Sequence, residues 1–200
     1  MIYSAVIVDN REIPTKVITD HMKFLPGWHL NVFSRLDYYI DYPHLRHEYL
    51  GGLSPINDYN KQLTSSEFWK KLIKYDRVLI FQQDSGILRK GIDEFLRWSY
   101  VGAPWLKGAP WARKDRAGGN GGLSLRDPKE MLRVCHGWNP SKGNEDAFYT
   151  HNCNNVAPYE VCKKFSTETE FQLNTFAYHA MSKHLSEDQV KQILTAAKSH

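Results

Sequence analysis

The run Val78-Leu79-Ile80-Phe81 in "YDRVLIFQQDSGI" constrains the fold most, because four consecutive apolar residues leave no face for water. Such a run predicts a central strand covered by helices on both sides. Strands of that kind belong to domains in which strand and helix alternate. The N-terminal residues follow this alternation. Ser4 to Val8, in "SAVIVDN", form a short β-branched run bounded by turn formers; Val17, Ile18, Met22 and Leu25 then recur at near-helical spacing until Gly27; "WHLNVFS" reads as a second strand. The expectation is a single α/β domain over residues 1–200, with a mainly parallel central sheet flanked by helices.

The 200 residues suit one core that needs no staples, and no internal repeat, low-complexity tract or linker divides them. Residues Arg35 to Asn60, rich in Tyr, Pro, Gly and Asp, read as a long loop. A helix is expected from "TSSE", with Thr64 and Glu67 as a capping box and Phe68, Trp69, Leu72 and Ile73 as its apolar face. After the central strand come a short amphipathic helix, "IDEFLRWS", a loop, "YVGAPWLKGAPWARKDRAGG", and a strand, "GGLSLR". In "DPKEMLRVCHG" Asp127 is the cap, Pro128 opens the helix, Glu130 follows three residues after the cap and Gly137 lies past the end. Another helix starts near Glu145. A last one, "SEDQVKQILTAAK", takes Ser186 as cap and Val190, Ile193, Leu194 and Ala197 as its face.

Hydrophobic residues at 42% and charged residues at 24% argue against disorder. No stretch approaches the roughly 20 apolar residues of a membrane span, and "MIYSAVIVDNREIP" lacks the basic region of a secretory signal. The cysteines Cys135, Cys153 and Cys162 form no CxxC pair, which favours burial in a reducing, cytoplasmic setting over a catalytic thiol. A net charge of +4, spread along the chain, suits anionic ligands such as nucleotides without pointing to nucleic acid.

Asp84 follows directly on the central strand, so it stands at the strand's C-terminal edge, where open α/β sheets bind ligands. With Ser85 and Gly86 making a turn, it could hold Mg²⁺ or Mn²⁺ on a diphosphate, or cap the turn itself. "AGGNGGLSLR" is neither a dinucleotide fingerprint nor a P-loop, since it precedes a strand and lacks the lysine. It reads as bare backbone against which a ligand can lie, with Asn120 free to hydrogen-bond, or as a plain hairpin turn. In "GNEDAFY", Glu145 and Asp146 point about 100° apart on a helix, so one could act as general base while the other orients it or binds the acceptor; an acidic first turn is the plainer reading. Trp98, Tyr100, Trp105, Trp111 and Trp138 could stack on sugar rings or bases, or pack in the core. Arg113, Lys114, Arg116 and Arg126 could meet phosphates or form a solvated rim. His179 in "FAYHAM" could be a metal ligand or a core histidine.

Taken together, "VLIFQQDSGI", "YVGAPW", "GGNGGLSLR" and "NEDAFY", in this order, resemble a family of GT-A-type glycosyltransferases found in large DNA viruses, bacteria and some eukaryotes. The resemblance spans roughly residues 3 to 180. It implies a GT-A-like fold, a nucleotide-sugar donor held over the sheet, a glycan or glycoprotein acceptor, transfer of a hexose or deoxyhexose, and, for a viral member, the host cytoplasm. The DxD position falls on Gln82, Gln83 and Asp84; its first acid is missing, so Asp84 alone would carry the Mn²⁺ or Mg²⁺ contact, with His179 as the late histidine of the metal shell. Gly121 and Gly122 would run beside the donor sugar, and Asn120, Trp105 and Trp111 beside the acceptor. The match makes Asp146 the base, and Glu145 would then bind the acceptor or help to position it. Val8, Asp9 and Arg11 would hold the nucleoside. The chain is short for a complete GT-A enzyme, which suits one module of a larger protein. Two other readings compete: a catalytically inactive GT-A-like module that binds glycans, and a single-stranded nucleic-acid binder.

Overall fold

A computed structural model of the protein describes residues 1–9, 11–34, 42, 44–49, 55–106, 108–109, 118–139, 141 and 143–198. The first strand, β1 (Tyr3–Asp9), leads through α1 (Thr15–Met22) to β2 (His29–Ser34) and β3 (Leu45–Tyr49). Helices α2 (Pro55–Leu63) and α3 (Ser66–Leu72) precede the apolar strand β4 (Arg77–Phe81), and β5 (Ser85–Ile87) follows at once. After a 3-10 turn at Ile92–Phe95 come β6 (Tyr100–Ala103), β7 (Asn120–Arg126), α4 (Pro128–Cys135), α5 (Glu145–Asn152) and α6 (Tyr159–Phe165). Two short strands, β8 (Ser166–Thr167) and β9 (Ala177–His179), a 3-10 turn at Met181–Lys183, and α7 (Glu187–Ala197) end the order.

The central sheet has six strands in the order β3-β2-β1-β4-β7-β6. The α/β architecture matches the expectation, but the sheet is mixed instead of mainly parallel. β1 pairs in parallel with β2 and β4, and β2 with β3, whereas β7 runs against both β4 and β6. The reversal has a purpose in the geometry. Phe81 pairs with Leu123 across β4 and β7, so Gly121 and Gly122, at the start of β7, lie beyond the end of β4 where Gln82 begins.

Alternation along β1 sorts its side chains into two cores. Ala5 and Ile7 pack with Ile18 and Met22 of α1 and with Cys162 and Phe165 of α6. Val6 and Val8 pack on the other face with Phe68, Trp69 and Leu72 of α3, Met131 of α4, and Phe148 and Tyr149 of α5. The strand is therefore apolar at both parities, as β4 is, because helices cover both faces. Trp69 is fully buried, and its Nε1 donates to the Tyr149 hydroxyl at 2.8 Å, tying α3 to α5.

Several local expectations change. Arg35 to Asn60 is not all loop: β3 is an edge strand, "LRHEY", whose weak apolar character hid it, and α2 begins at Pro55. The cap of α3 is Ser65, not Thr64, since Ser65 Oγ accepts from the Phe68 N–H while the Thr64 hydroxyl turns back to Asn60 O at 2.6 Å. "YVGA" is the strand β6, fully paired, and Ser85–Ile87 forms strand β5 instead of a turn. α4 starts as read, with Asp127 accepting from the Lys129 and Glu130 N–H groups. α7 keeps its Ser186 cap, completed by Gln189, but only Ile193 of its expected face is buried and Leu194 is exposed. All three cysteines are buried, and none is joined in a disulfide among the described residues. No helix among the described residues is long and apolar enough to cross a membrane.

Candidate functional site

A three-stranded second sheet, in the order β5-β9-β8, builds one wall of the site. Its register sets Ser85 opposite His179, so the short strand that follows Asp84 carries the late histidine to the edge of the main sheet. The Asp84 carbonyl then accepts from the Ala180 N–H at 2.9 Å. Across from this wall, α5 brings Glu145 and Asp146 to the start of β7. α5 has no side-chain cap of its own; Asn60 of α2 supplies one, accepting from the Glu145 N–H and donating to Asn144 Oδ1, both at 3.3 Å.

These elements enclose a cavity of about 250 Å³ lined by Tyr59, Asn60, Gln82, Asn120, Gly121, Gly122, Asn144, Glu145, Asp146, Glu168, His179, Ala180, Lys183 and His184. That volume lies below the roughly 300 Å³ at which drug-sized pockets begin, so it could take only part of a large ligand. A larger concavity, about 530 Å³, sits around the starts of β1 and β2 and contains none of the motif residues.

Glu145 and Asp146 have different surroundings, as their angular separation implies. Glu145 is sealed in a two-pronged ion pair with Arg126, at 2.6 and 3.0 Å, and both side chains are essentially unexposed. Arg126 also donates to Ser124 Oγ at 2.8 Å and to Gly121 O at 3.3 Å, and lies over the rings of Tyr100 and Tyr149. Arg126 is thus no part of a phosphate-facing rim; it is a buried clamp between β7 and α5. Asp146 is held by N–H donors instead, from Gly121 at 3.2 Å and Ala147 at 2.7 Å. Burial, and then the neighbouring Glu145 carboxylate, push Asp146 up to about 6, the range of a working general base.

His179 joins the other residues. Its Nε2 lies 3.0 Å from Gln82 Oε1 and 3.3 Å from Asp84 Oδ1, and its Nδ1 lies 3.2 Å from Glu168 Oε1. Burial opposes a charged ring, yet the hydrogen bonds to Asp84 and Glu168 outweigh it and raise His179 to about 9. Hydrogen bonds from His179 and Lys183 hold Asp84 below the usual carboxylate range despite its partial burial. Lys183 Nζ donates to Asp84 Oδ2 at 2.5 Å.

The glycines of "GGNGGLSLR" are explained by these neighbours. A Cβ at Gly122 would overlap the His179 ring, and one at Gly121 would overlap the Glu145 carboxylate. The space that bare backbone leaves is filled by the protein's own side chains, not by a bound sugar. Gly118 and Gly119 have φ of 46° and 93°, left-handed conformations that glycine adopts without strain.

The other expected residues divide. Asn120 is not free to hydrogen-bond a ligand: it donates to Glu168 Oε1 at 2.7 Å and accepts from the Gly122 N–H at 3.0 Å. Trp105 is buried and does not line the cavity, which removes it as a stacking face; Tyr100 is wholly buried as well. Gln83 turns away and donates to Glu12 O at 2.9 Å. Val8 is in the core, and Asp9 is paired with Arg11 at the end of β1, outside the cavity lining. Trp111, Arg113, Lys114 and Arg116 lie outside the described residues. Glu168, Lys183 and Tyr59 were not singled out by sequence. Neither glutamate of "STETEF" carries a spacing signal; only Lys183, four residues after His179, has one, and only if that stretch is helical.

Among the described residues no group of three or more His, Cys, Asp or Glu side chains is arranged to hold a metal ion. The donor set at the end of β4 has two, Asp84 and His179, with the Gln82 amide oxygen as third. Adjacent ligands of an octahedral Mg²⁺ at roughly 2.1 Å lie roughly 3 Å apart. The separations of 3.0 and 3.3 Å from Nε2 to Gln82 and Asp84 are those of direct hydrogen-bond and ion-pair contacts, and Asp84 is already neutralised by Lys183 and a charged His179, so a cation would have to displace both.

Fold and site together define an α/β protein whose acid-lined cavity opens at one edge of a mixed sheet. A family model described as "Protein of unknown function (DUF5672)" matches residues 40–183, and the chain belongs to that family. No curated protein matches the chain.

Proposed function

We propose that this chain is a GT-A-type glycosyltransferase that moves a hexose or deoxyhexose from a nucleotide-diphosphate sugar to a hydroxyl of a glycan or glycoprotein. The observation that carries the reading is convergence: Gln82, Gly121, Gly122, Asp146 and His179, from motifs far apart in sequence, line one cavity, and Asp84 flanks it through His179. Within that cavity Asp146 is raised to about 6 and fixed by two N–H donors.

The chemistry is one displacement. Asp146 takes the acceptor's hydroxyl proton as the acceptor oxygen bonds to the anomeric carbon, and the bond from that carbon to the donor's phosphate oxygen breaks with its electron pair on the diphosphate. Lys183, released from Asp84, meets the charge on that leaving group. Gln82, Asp84 and His179 would hold Mg²⁺ or Mn²⁺, which supplies further positive charge there. Glu145 acts through Asp146: its own carboxylate is saturated by Arg126, and its field keeps the neighbour basic. Asp9 and Arg11, at the end of β1, are the nucleoside-side candidates.

A non-catalytic glycan-binding module is the second reading, favoured by the direct Lys183–Asp84 pair, which neutralises the acid without any ligand. Thermal shift against nucleotide sugars and nucleoside diphosphates, each with Mn²⁺, Mg²⁺ or EDTA, separates the two when combined with product detection. A metal-dependent rise lost in Asp84→Ala, with sugar transfer abolished in Asp146→Asn, supports the enzyme. A flat response to every nucleotide, with glycans alone raising the melting point, overturns it.

A further inference from the structure

We propose that Tyr59 and Glu168 determine which sugar the cavity takes: each meets a hydroxyl of the ring seated there, and together they select a neutral sugar over an acidic one. The inference deepens the proposed function and rests on its sugar, which the transferase and the glycan-binding readings share. Tyr59 stands on α2 and Glu168 just past β8, and both line the cavity. The Tyr59 hydroxyl and Glu168 Oε2 are each buried without a hydrogen-bond partner. A buried polar atom left unpaired costs free energy that folding does not return, so nearly all such atoms in folded proteins have partners. Two of them on residues that line one cavity mark where a ligand supplies what the fold does not.

The rest of each side chain is held in place. Glu168 is 3% exposed, and its other oxygen accepts from Asn120 Nδ2 at 2.7 Å. The Tyr59 ring packs on the core that contains Phe148 and Tyr149. Each residue thus offers one unpaired atom at a set position, and the two differ in chemistry. Burial, and then the Glu145 carboxylate, raise the Tyr59 phenol above its usual range, so it stays protonated and donates. A carboxylate oxygen such as Glu168 Oε2 only accepts. A hydroxyl serves either partner, so a ring that carries several satisfies both. A carboxylate on that ring would suit Tyr59 but meet repulsion from Glu168, and Glu145 and Asp146 line the same cavity. Anionic groups of the ligand therefore lie toward Lys183.

Titration calorimetry with UDP- and GDP-hexoses and the matching hexuronates reads a donor sugar, and saturation-transfer NMR with methyl glycosides of the same sugars reads an acceptor. Wild type should prefer the neutral member of a pair by roughly a hundredfold. Tyr59→Phe should weaken the neutral sugar about tenfold, yet melt no lower than wild type without ligand, because it removes a hydroxyl that makes no bond. Glu168→Gln exchanges an acceptor for an amide donor and should shrink the preference over the hexuronate to less than about tenfold. Affinity for UDP or GDP alone should be the same in all three proteins. A wild type that takes hexuronate as tightly as hexose, or variants that keep wild-type sugar affinity, overturns the inference and leaves the sugar reading standing. Equal losses for sugar and bare nucleotide with a lower melting temperature show a structural role and overturn it as well. Wild type that binds no sugar in either arm overturns both. Should Glu168→Gln fail to fold, wild type and Tyr59→Phe decide.

Discussion

The Arg126–Glu145 pair offers a sharp test of how this site is held. Both side chains are essentially unexposed, and each is the other's only opposite charge within salt-bridge distance among the described residues. Arg126→Met removes the guanidinium and leaves the Glu145 carboxylate buried with the Asn60-capped end of α5 as its surroundings. Breaking a buried pair on one side costs about 3–5 kcal/mol. A protein of ordinary stability has about 5–15 kcal/mol in total, so this one change removes about a fifth of it or more. At roughly 2–4 °C per kcal/mol for a chain of this size, the melting temperature should fall by on the order of 10 °C. The double variant Arg126→Met/Glu145→Leu removes both charges and should recover most of the loss, because apolar replacement of a buried pair is often neutral. Urea unfolding followed by tryptophan fluorescence measures each corner of the cycle, with the fully buried Trp69, bonded to Tyr149 beside Arg126, as reporter. The double variant should also lose activity, since the clamp that sets Asp146 beside Gly121 is gone. A single variant that loses less than about 1 kcal/mol, or a double variant as unstable as the sum of the two singles, would refute the account of a desolvated, coupled pair.

Asp146 sits near 6 in the folded protein against 3.8 as an ordinary aspartate, so kcat/KM should fall below about pH 6; a limb near pH 4 would contradict the burial argument. The same shift makes its ionisation costly to the fold as pH rises, so Asp146→Asn should unfold later than wild type at pH 8 while transferring no sugar. Gly122→Ala drives a methyl into the His179 ring and should cost about 1–3 kcal/mol in chemical unfolding; unchanged stability would show that the ring can move aside. His21, buried against Phe81 and lowered by burial to about 4, stays neutral when folded. The unfolded chain takes up a proton near pH 6.5, so wild type should lose about 3 kcal/mol relative to His21→Phe between pH 7 and pH 4, read by urea midpoints. Parallel losses in both proteins would mean that other groups govern the acid limb.

The main strands and half of the cavity's lining residues were legible because their signals are local. Four apolar residues mark β4 whatever surrounds it, and Asp127-Pro128 marks α4 by chemistry confined to one turn. What was hidden depends on distant partners. β3, β5 and β9 are three to five residues long and acquire strand geometry from the neighbours they pair with, so "LRHEY", "SGI" and "AYH" carry no pattern of their own. The direction of β7 was equally invisible: "GGLSLR" predicts a strand but nothing in it fixes which way the strand runs. Arg126 looked like a surface cation because its burial depends wholly on Glu145, 19 residues later. Asn120 and the glycines were recognised as a special backbone, yet the reason lay in His179 and Glu168, which reach them only through the second sheet.

That second sheet also sets the order in which the site can come into being. As the chain is synthesised, β1, β4, β7 and α5 can all emerge and pair before residue 160, giving a sheet that already carries Asp146. Lys183 meets Asp84 across 99 residues, and β9 must thread beside β5 before His179 and Glu168 arrive. Contacts so far apart in sequence form late. A nascent or prematurely ended chain would therefore carry Asp146 on its sheet without the β5–β9–β8 wall opposite it, so the cavity is complete only once the last elements of the fold have closed.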